Sequence, residues 1–262
     1  GPQSRWMPTA DAIAALADAP GGLDGVLIAS PANPTGTMLE PERLAEIATL
    51  CERRGLWFIS DEIYHGLTYD VPAETALRYS DEAIVINSLS KYFSMTGWRV
   101  GWMIVPERLV RPIERLAQNL YIAPPAISQV AALAAFEARD ELEANIAVYR
   151  RNRALLLEAL PRCGFTSIVP ADGAFYLYCD VSHWTDDSLV FAGEMLDAIG
   201  VAVTPGIDFD PVRGRHFIRF SYAGATADME EAVRRLSAWE RLRSRYERTQ
   251  RRRRFYSPAG SS

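Results

Sequence analysis

Among the side chains that could do covalent chemistry, one amine stands apart. Lysine and arginine together number 28, yet Lys91 is the sole lysine of the sequence. Arginine stays protonated, whereas an amine can shed its proton and attack a carbonyl carbon. Lys91 is therefore either a nucleophile or a surface lysine retained by chance, and its neighbourhood has to decide. Asn33, Asp61 and Ser88 each follow a short apolar run, and Tyr64 and Arg99 lie close along the chain to Asp61 and Lys91. A lysine can form a Schiff base with an aldehyde cofactor. Pyridoxal phosphate serves as an electron sink when an acidic partner keeps its ring nitrogen protonated, and Asp61 is the candidate partner. Tyr64 could donate to the ring hydroxyl oxygen, and Ser88 with Arg99 offers a hydroxyl and a guanidinium for a phosphate. Each residue also has a plain reading: Asp61 as a helix N-cap, Tyr64 as a half-buried aromatic, Arg99 as a surface charge.

The elements that must position these residues follow from apolar runs and turn signals. Val26 to Ala29, Leu56 to Ile59, Ala83 to Ile86 and Val100 to Val105 read as strands, and Pro41 to Arg54 as a helix with proline in its first turn and Gly55 at its stop. Strands alternating with helices predict an α/β fold with a mostly parallel sheet flanked by helices. Continuous apolar strands predict burial on both faces. Open α/β sheets bind ligands outside the carboxyl ends of their strands, which is where Asn33, Asp61, Ser88 and Lys91 would gather. From Pro106 to about Leu160 the pattern is helical, broken at Pro124-Pro125. Strands over Gly173 to Cys179 and His216 to Ser221, with helices over Ser188 to Ile199 and Thr226 to Trp239, predict a smaller α+β domain. The expected organisation is a partial large domain over 1–142, a small C-terminal domain over 143–240 and a basic tail over 241–262. The eight arginines of that tail read as a fraying helix and a solvated end rather than a nucleic-acid or membrane patch.

Four motifs, in order, closely resemble those of the class I/II aminotransferases, the fold-type I pyridoxal-phosphate enzymes. Asn33-Pro34-Thr35-Gly36 resembles the family's Asn-Pro-Thr-Gly turn. Ser60-Asp61-Glu62-Ile63-Tyr64 resembles its Asp-Glu-x-Tyr segment. Residues from Ser88 to Gly101 resemble its cofactor-lysine motif, and Phe217-Ile218-Arg219-Phe220-Ser221 its carboxylate-binding strand. The resemblance implies a cofactor, pyridoxal 5′-phosphate, and a role for each residue. Lys91 would carry the Schiff base and move the substrate proton, and Asp61 would pair with the pyridinium nitrogen. Tyr64 and Asn33 would bond the ring hydroxyl oxygen; Ser88, Ser90 and Arg99 would hold the phosphate. Arg219, with Asn33, would bind the substrate carboxylate; without the resemblance Arg219 reads as a cross-strand charge. The reaction implied is transamination between an α-amino acid and a 2-oxo acid. A carbon–sulfur lyase on the same scaffold is the alternative, as is the non-catalytic sensor domain of a transcription regulator.

The resemblance also implies a substantial segment ahead of Asn33 that completes the large domain and its phosphate site. The sequence is thus expected to be N-terminally truncated and, alone, not a competent enzyme, with sheet surface left exposed. The complete protein is expected to be a homodimer.

Other features bound the class. Hydrophobic residues make up 48% and charged residues 23%, an ordinary globular composition. No apolar run approaches a membrane span, and a net charge of −5 favours no nucleic-acid partner. Cys51, Cys163 and Cys179, odd in number and without metal spacing, point to a reducing, cytoplasmic setting. His65, His183 and His216 have no ligand spacing and read as structural or surface, so no metal is expected. Phe175, Tyr176, Tyr178 and the Gly206 to Phe209 loop read as core or as a side-chain pocket. Met95, Trp98 and Trp102 read as packing around Lys91.

Overall fold

The computed structural model describes residue 1 and residues 4–239. The chain divides into two compact units. The first comprises Gly1–Ala147 with Pro170–Ala174, and the second Val148–Val169 with the chain from Phe175 onward. The basic tail over 241–262 lies outside the described residues.

The first unit is built on a four-stranded sheet in the order β1-β2-β3-β4, with β1 Gly25–Ala29, β2 Trp57–Asp61, β3 Ile84–Ser88 and β4 Gly101–Ile104. The first three strands are parallel neighbours and β4 pairs antiparallel at the edge. The first helix, α1 (Ala10–Ala17), is N-capped by the Thr9 hydroxyl, which accepts from Ala12 N. Its eight residues carry no proline, glycine stop or long apolar stripe, and the sequence reading passed over it. Helix α2 spans Pro41–Arg54, as its pattern predicts. Its buried Leu44, Ile47, Ala48 and Cys51 pack with Ile28, Phe58 and Val85 of the sheet. Helices α3 (Glu107–Leu120) and α4 (Ala126–Glu137) follow, separated at residues 121–125 where the two prolines stand, and then α5 (Arg139–Arg162).

The expectation of burial on both sheet faces is not met. Ile28, Phe58, Ser60 and Val85 are buried against α2, but Leu27 is 65% exposed and Met103 47%. One face is therefore packed and the other carries open apolar side chains. The strands read as continuous apolar runs because their residues suit a covered sheet, whether or not these residues alone supply the cover.

The second unit holds an antiparallel sheet in the order β5-β7-β6, from β5 Tyr176–Asp180, β6 Thr204–Pro205 and β7 Phe217–Ser221. Helix α6 (Ser188–Ile199) is capped by Asp187, which accepts from Leu189 N and Val190 N. Helix α7 is Thr226–Ala238. β5 starts three residues later than the glycine that opens the apolar pattern, because Gly173 and Ala174 bond into the first unit, donating to Gly36 O and Leu67 O. Phe165, Phe191, Leu177, Ile218 and Tyr222 are wholly buried, and Phe165 meets Trp184 and Phe220 edge-on at 4.7 and 5.3 Å. Burying aromatics of this size is the largest favourable term available to so small a sheet. The three cysteines are buried free thiols, and burial raises the Cys179 pKa. Among the described residues no helix is long and apolar enough to cross a membrane.

Candidate active site

Parallel register brings the three carboxyl ends of β1, β2 and β3 side by side: Ala29 pairs with Asp61, and Asp61 with Ile86. The segment leaving β1 is the Asn-Pro-Thr-Gly turn. It is closed by Ala32 N donating to Thr37 O at 2.9 Å and Gly36 N to Ala32 O at 2.7 Å, with the Thr35 and Thr37 hydroxyls hydrogen-bonded at 2.8 Å. Leu39 N donates to the Ser30 hydroxyl at 2.9 Å. Asn33 stands at the exposed tip of this turn.

No helix follows Asp61. Its Oδ1 accepts from Ile63 N at 3.1 Å, an Asx turn that competes with helix initiation. His65 N donates to Glu62 O and Leu67 N to Tyr64 O, so residues 62–66 form successive turns. The helix-cap reading of Asp61 is thereby corrected, and Tyr64 is placed by a turn rather than by helical periodicity. Tyr64 is buried. Gly66, at φ +87, ends the turn where a Cβ would stand 2.5 Å from the Tyr92 ring. Only a residue without a side chain lets this turn approach the segment next to Lys91 so closely.

Beyond β3 the chain folds into a compact loop. The Ser88 hydroxyl donates to Val100 O at 3.2 Å and is hydrogen-bonded with the Ser90 hydroxyl at 3.0 Å; it also accepts from Ser90 N. Thr96 Oγ1 donates to Ser90 O at 2.9 Å, and Arg99 Nη1 to Thr96 O at 2.9 Å. Ser88, Ser90, Thr96 and Arg99 thus form one connected chain of hydrogen bonds. Arg99 takes a left-handed backbone, φ 56, a conformation that costs a side-chain-bearing residue about 1–2 kcal/mol. It hands the chain into β4, where Gly101 lies opposite Ser88 and a Cβ would meet Asn87 O at 2.7 Å. Beneath the loop, buried Leu89 and Met95 pack with Ala132 of α4, joined by Phe93, Val100 and Trp102. Met95 and Trp102 are therefore packing residues, whereas Trp98 is 43% exposed.

Lys91 lies half-buried on this loop, its Nζ 5.7 Å from the centroid of the Tyr64 ring. The first unit thus carries an amine and a phenol in proximity. It also carries a carboxylate at the neighbouring strand end, a pair of linked serine hydroxyls and an exposed guanidinium. Next to the amine, burial and Glu143, which accepts from the Tyr92 hydroxyl at 2.8 Å, push the Tyr92 pKa up to about 12.

Arg219 belongs to the second unit, on β7, opposite Tyr178 and Thr204. Its guanidinium lies 4.1 Å from the Tyr176 ring centroid and 4.8 Å from that of Phe209, and Nη2 donates to Thr204 Oγ1 at 3.1 Å. Two aromatic faces hold the fork in a fixed plane. Phe209 was legible only as a possible pocket residue; an aromatic close in sequence to nothing catalytic gives no signal of its stacking partner. Tyr178, by contrast, is core: buried, and stacked on Phe217 at 4.9 Å.

The chain as a whole is similar to known proteins. The family model described as aminotransferase class I and II matches residues 2–236. The valine–pyruvate aminotransferase of Mycobacterium tuberculosis is 50% identical over 243 residues, 91% of this chain and 62% of that protein. The aspartate aminotransferase of Sulfurisphaera tokodaii is 28% identical over 80% of this chain and 55% of its own length. Among solved structures, an aminotransferase from Mycobacterium tuberculosis superposes with a TM-score of 0.88 at 50% identity, over 93% of this chain and 63% of that one. The aspartate aminotransferase of Thermus thermophilus with maleate does so at 0.82 and 31%, over 90% and 62%. The chain thus spans about three fifths of the length of the relatives it matches.

Proposed function

The chain belongs to the aminotransferase class I and II family, and from that premise we propose that the protein transfers the amino group of an α-amino acid to a 2-oxo acid using pyridoxal 5′-phosphate. The observation that carries this reading is the sole lysine held 5.7 Å from the Tyr64 ring at the carboxyl end of a parallel sheet. The donor set fits the cofactor: an amine for its aldehyde, a carboxylate for its ring nitrogen, a phenol and an amide for its hydroxyl oxygen, and hydroxyls with a guanidinium for its phosphate. When bound, the cofactor supplies the aldehyde and a ring that accepts the electron pair of a broken Cα–H bond.

In this reading Lys91 Nζ anchors the cofactor at rest. Once freed by the incoming amino acid, Nζ would lift the α-proton and return it at the cofactor carbon that carried the aldehyde, two atoms away, a placement that replaces a bimolecular encounter. The Asp61 carboxylate would hold the proton on the ring nitrogen. The Tyr64 hydroxyl and the Asn33 amide would donate to the ring oxygen, while Ser88, Ser90 and Arg99 would hold the phosphate. Arg219 takes the substrate carboxylate, where a planar fork matches two oxygens. The first unit then corresponds to a partial large cofactor-binding domain and the second to the small C-terminal domain. A cytoplasmic setting, supported by the three free thiols, belongs to the same reading, as does a homodimer, which rests on the family resemblance alone. The name of the 50% identical relative supports a small aliphatic donor with pyruvate as the pair to assay first.

The test is to load the protein, in its natural length, with pyridoxal phosphate, reduce with borohydride and map the modified peptide. Label on Lys91, and keto-acid formation from valine only when pyruvate is present, is the expected result. Label elsewhere removes Lys91 from the mechanism. Ammonia release without an oxo-acid acceptor would move the protein to the eliminating enzymes.

A further inference from the structure

The turn that carries Asp61 and Tyr64 also carries a second pair of residues, one position further along in each case. Glu62 is 3% exposed. Its Oε1 accepts from Ser60 Oγ at 3.0 Å, Thr75 Oγ1 at 3.1 Å and Ala76 N at 2.8 Å. Its own N–H donates to Ile86 O at 2.8 Å, carrying the β2–β3 ladder one step past the strand. His65 lies with Nε2 3.2 Å from Ser30 O and Nδ1 3.4 Å from Glu62 Oε2. Two side chains therefore tie the end of β2 to the Thr75–Ala76 segment and to the chain leaving β1.

A buried carboxylate is costly unless hydrogen bonds surround it, and such a network, once satisfied, holds its members in one arrangement. The groups facing the His65 ring are the Glu62 and Asp61 carboxylates and, from the chain leaving β1, the Ser30 carbonyl. Burial pushes the His65 pKa down against the pull of those acceptors. A neutral ring carries one N–H, which it can give either from Nε2 to Ser30 O or from Nδ1 to the Glu62 carboxylate.

We propose that Glu62 and His65 are positioning residues: their network fixes the turn from Asp61 to Tyr64, and so the direction in which the Asp61 carboxylate and the Tyr64 hydroxyl are presented. The inference rests on the roles assigned to Asp61 and Tyr64 above, and both new residues act through those two. The network would explain why an Asx turn, ordinarily a soft element, can hold an acid in the one orientation that ring-nitrogen chemistry requires.

The test compares wild type with D61A, E62A, E62Q and H65A in the protein at its natural length loaded with pyridoxal phosphate. Three readouts are taken: melting temperature, kcat and KM for the amino donor, and the pH midpoint of the bound cofactor's absorbance change. E62A and H65A are expected to lower kcat by on the order of 10–100-fold, with KM within about twofold. They are also expected to move the absorbance midpoint in the direction that D61A moves it. E62Q keeps Oε1 for the same three donors and offers an N–H to Nδ1, so it should retain most of kcat and the wild-type midpoint. Wild-type kcat and midpoint in H65A and in folded E62A, with both altered in D61A, overturns the inference and leaves the Asp61 assignment standing. A midpoint unmoved in D61A overturns the Asp61 assignment itself. Should E62A fail to fold, H65A with E62Q decides alone: an unshifted H65A midpoint sinks the proposal, and a shifted one beside an intact E62Q supports it.

Discussion

The two sheets of this protein are opposites in how they are covered. β5 has four consecutive buried residues, Tyr176 to Cys179, in a unit whose Phe165, Trp184 and Phe191 are also buried. The four-stranded sheet of the first unit packs one face on α2 and leaves Leu27, Trp57 and Met103 at 43–65% exposure on the other. Yet the open sheet bears the amine, the phenol and the carboxylate, while the closed one bears the stacked guanidinium. Stability and chemistry are thus unevenly distributed: the closed core holds Arg219 rigidly, and the open sheet orders its strand ends by hydrogen bonds at Ser88, Ser90 and Glu62.

Four experiments would sharpen or break that contrast. Phe191→Ala in the closed core should cost about 3–5 kcal/mol by the loss of a buried ring, read by denaturant unfolding followed by the fluorescence of Trp184 and Trp239, which both meet that ring. A cost below about 1 kcal/mol would mean the core is not closed. Arg219→Lys, which leaves the aromatic walls but removes the fork, should lower kcat/KM for the amino donor by about 10-fold or more, the equivalent of one charge-assisted hydrogen bond. An unchanged kcat/KM would return Arg219 to a structural role.

The third experiment varies pH. His65 has its pKa lowered from 6.5, chiefly by burial, so between that value and its folded one the unfolded chain binds more protons than the folded protein. Stability should therefore fall as pH drops below about 6.5, and His65→Asn should lose part of that acid sensitivity, as read by melting temperature against pH. A variant with the wild-type slope would show that the ring is not buried neutral. The smallest effect is expected on the open face, where Leu27→Ser should change unfolding free energy by no more than about 0.5 kcal/mol. A loss as large as that of Phe191→Ala would show that something covers the face in the protein at its natural length.

Legibility in the sequence followed the same divide between local and distant effects. Helix α2 and helix α6 were readable to the residue, since Pro41 and Gly55 in the first, and Asp187 and Gly200 in the second, mark their ends by local backbone rules. The ends of β1 to β4 and of β7 were readable to within two residues, whereas β5 starts three residues later than its pattern and β6 was not read. The turn after Asp61 was not, because Asp-Glu-Ile-Tyr suits a helix start as well as an Asx turn, and the choice was made by Thr75 and Ser30, distant in sequence. Glu62 stands in its motif without a role of its own, and His65 reads as structural or surface, because their partners Thr75 and Ser30 lie distant in sequence. The open sheet face could not be read from apolar runs that look identical when covered.

By residue type alone, the sequence determined which reactive groups the chain has to offer: one amine able to lose its proton, an acid and a phenol a few residues apart, and an arginine in a strand. Spacing also settled that the three polar strand ends fall at one edge of a sheet, since parallel strands joined by right-handed crossovers put their carboxyl ends together. Only the tertiary structure decided how those groups are held. Side-chain hydrogen bonds such as Thr75 to Glu62, and aromatic stacking such as Tyr176 on Arg219, join residues whose separation along the chain carries no periodicity. Such contacts exist only once the chain has closed its loops.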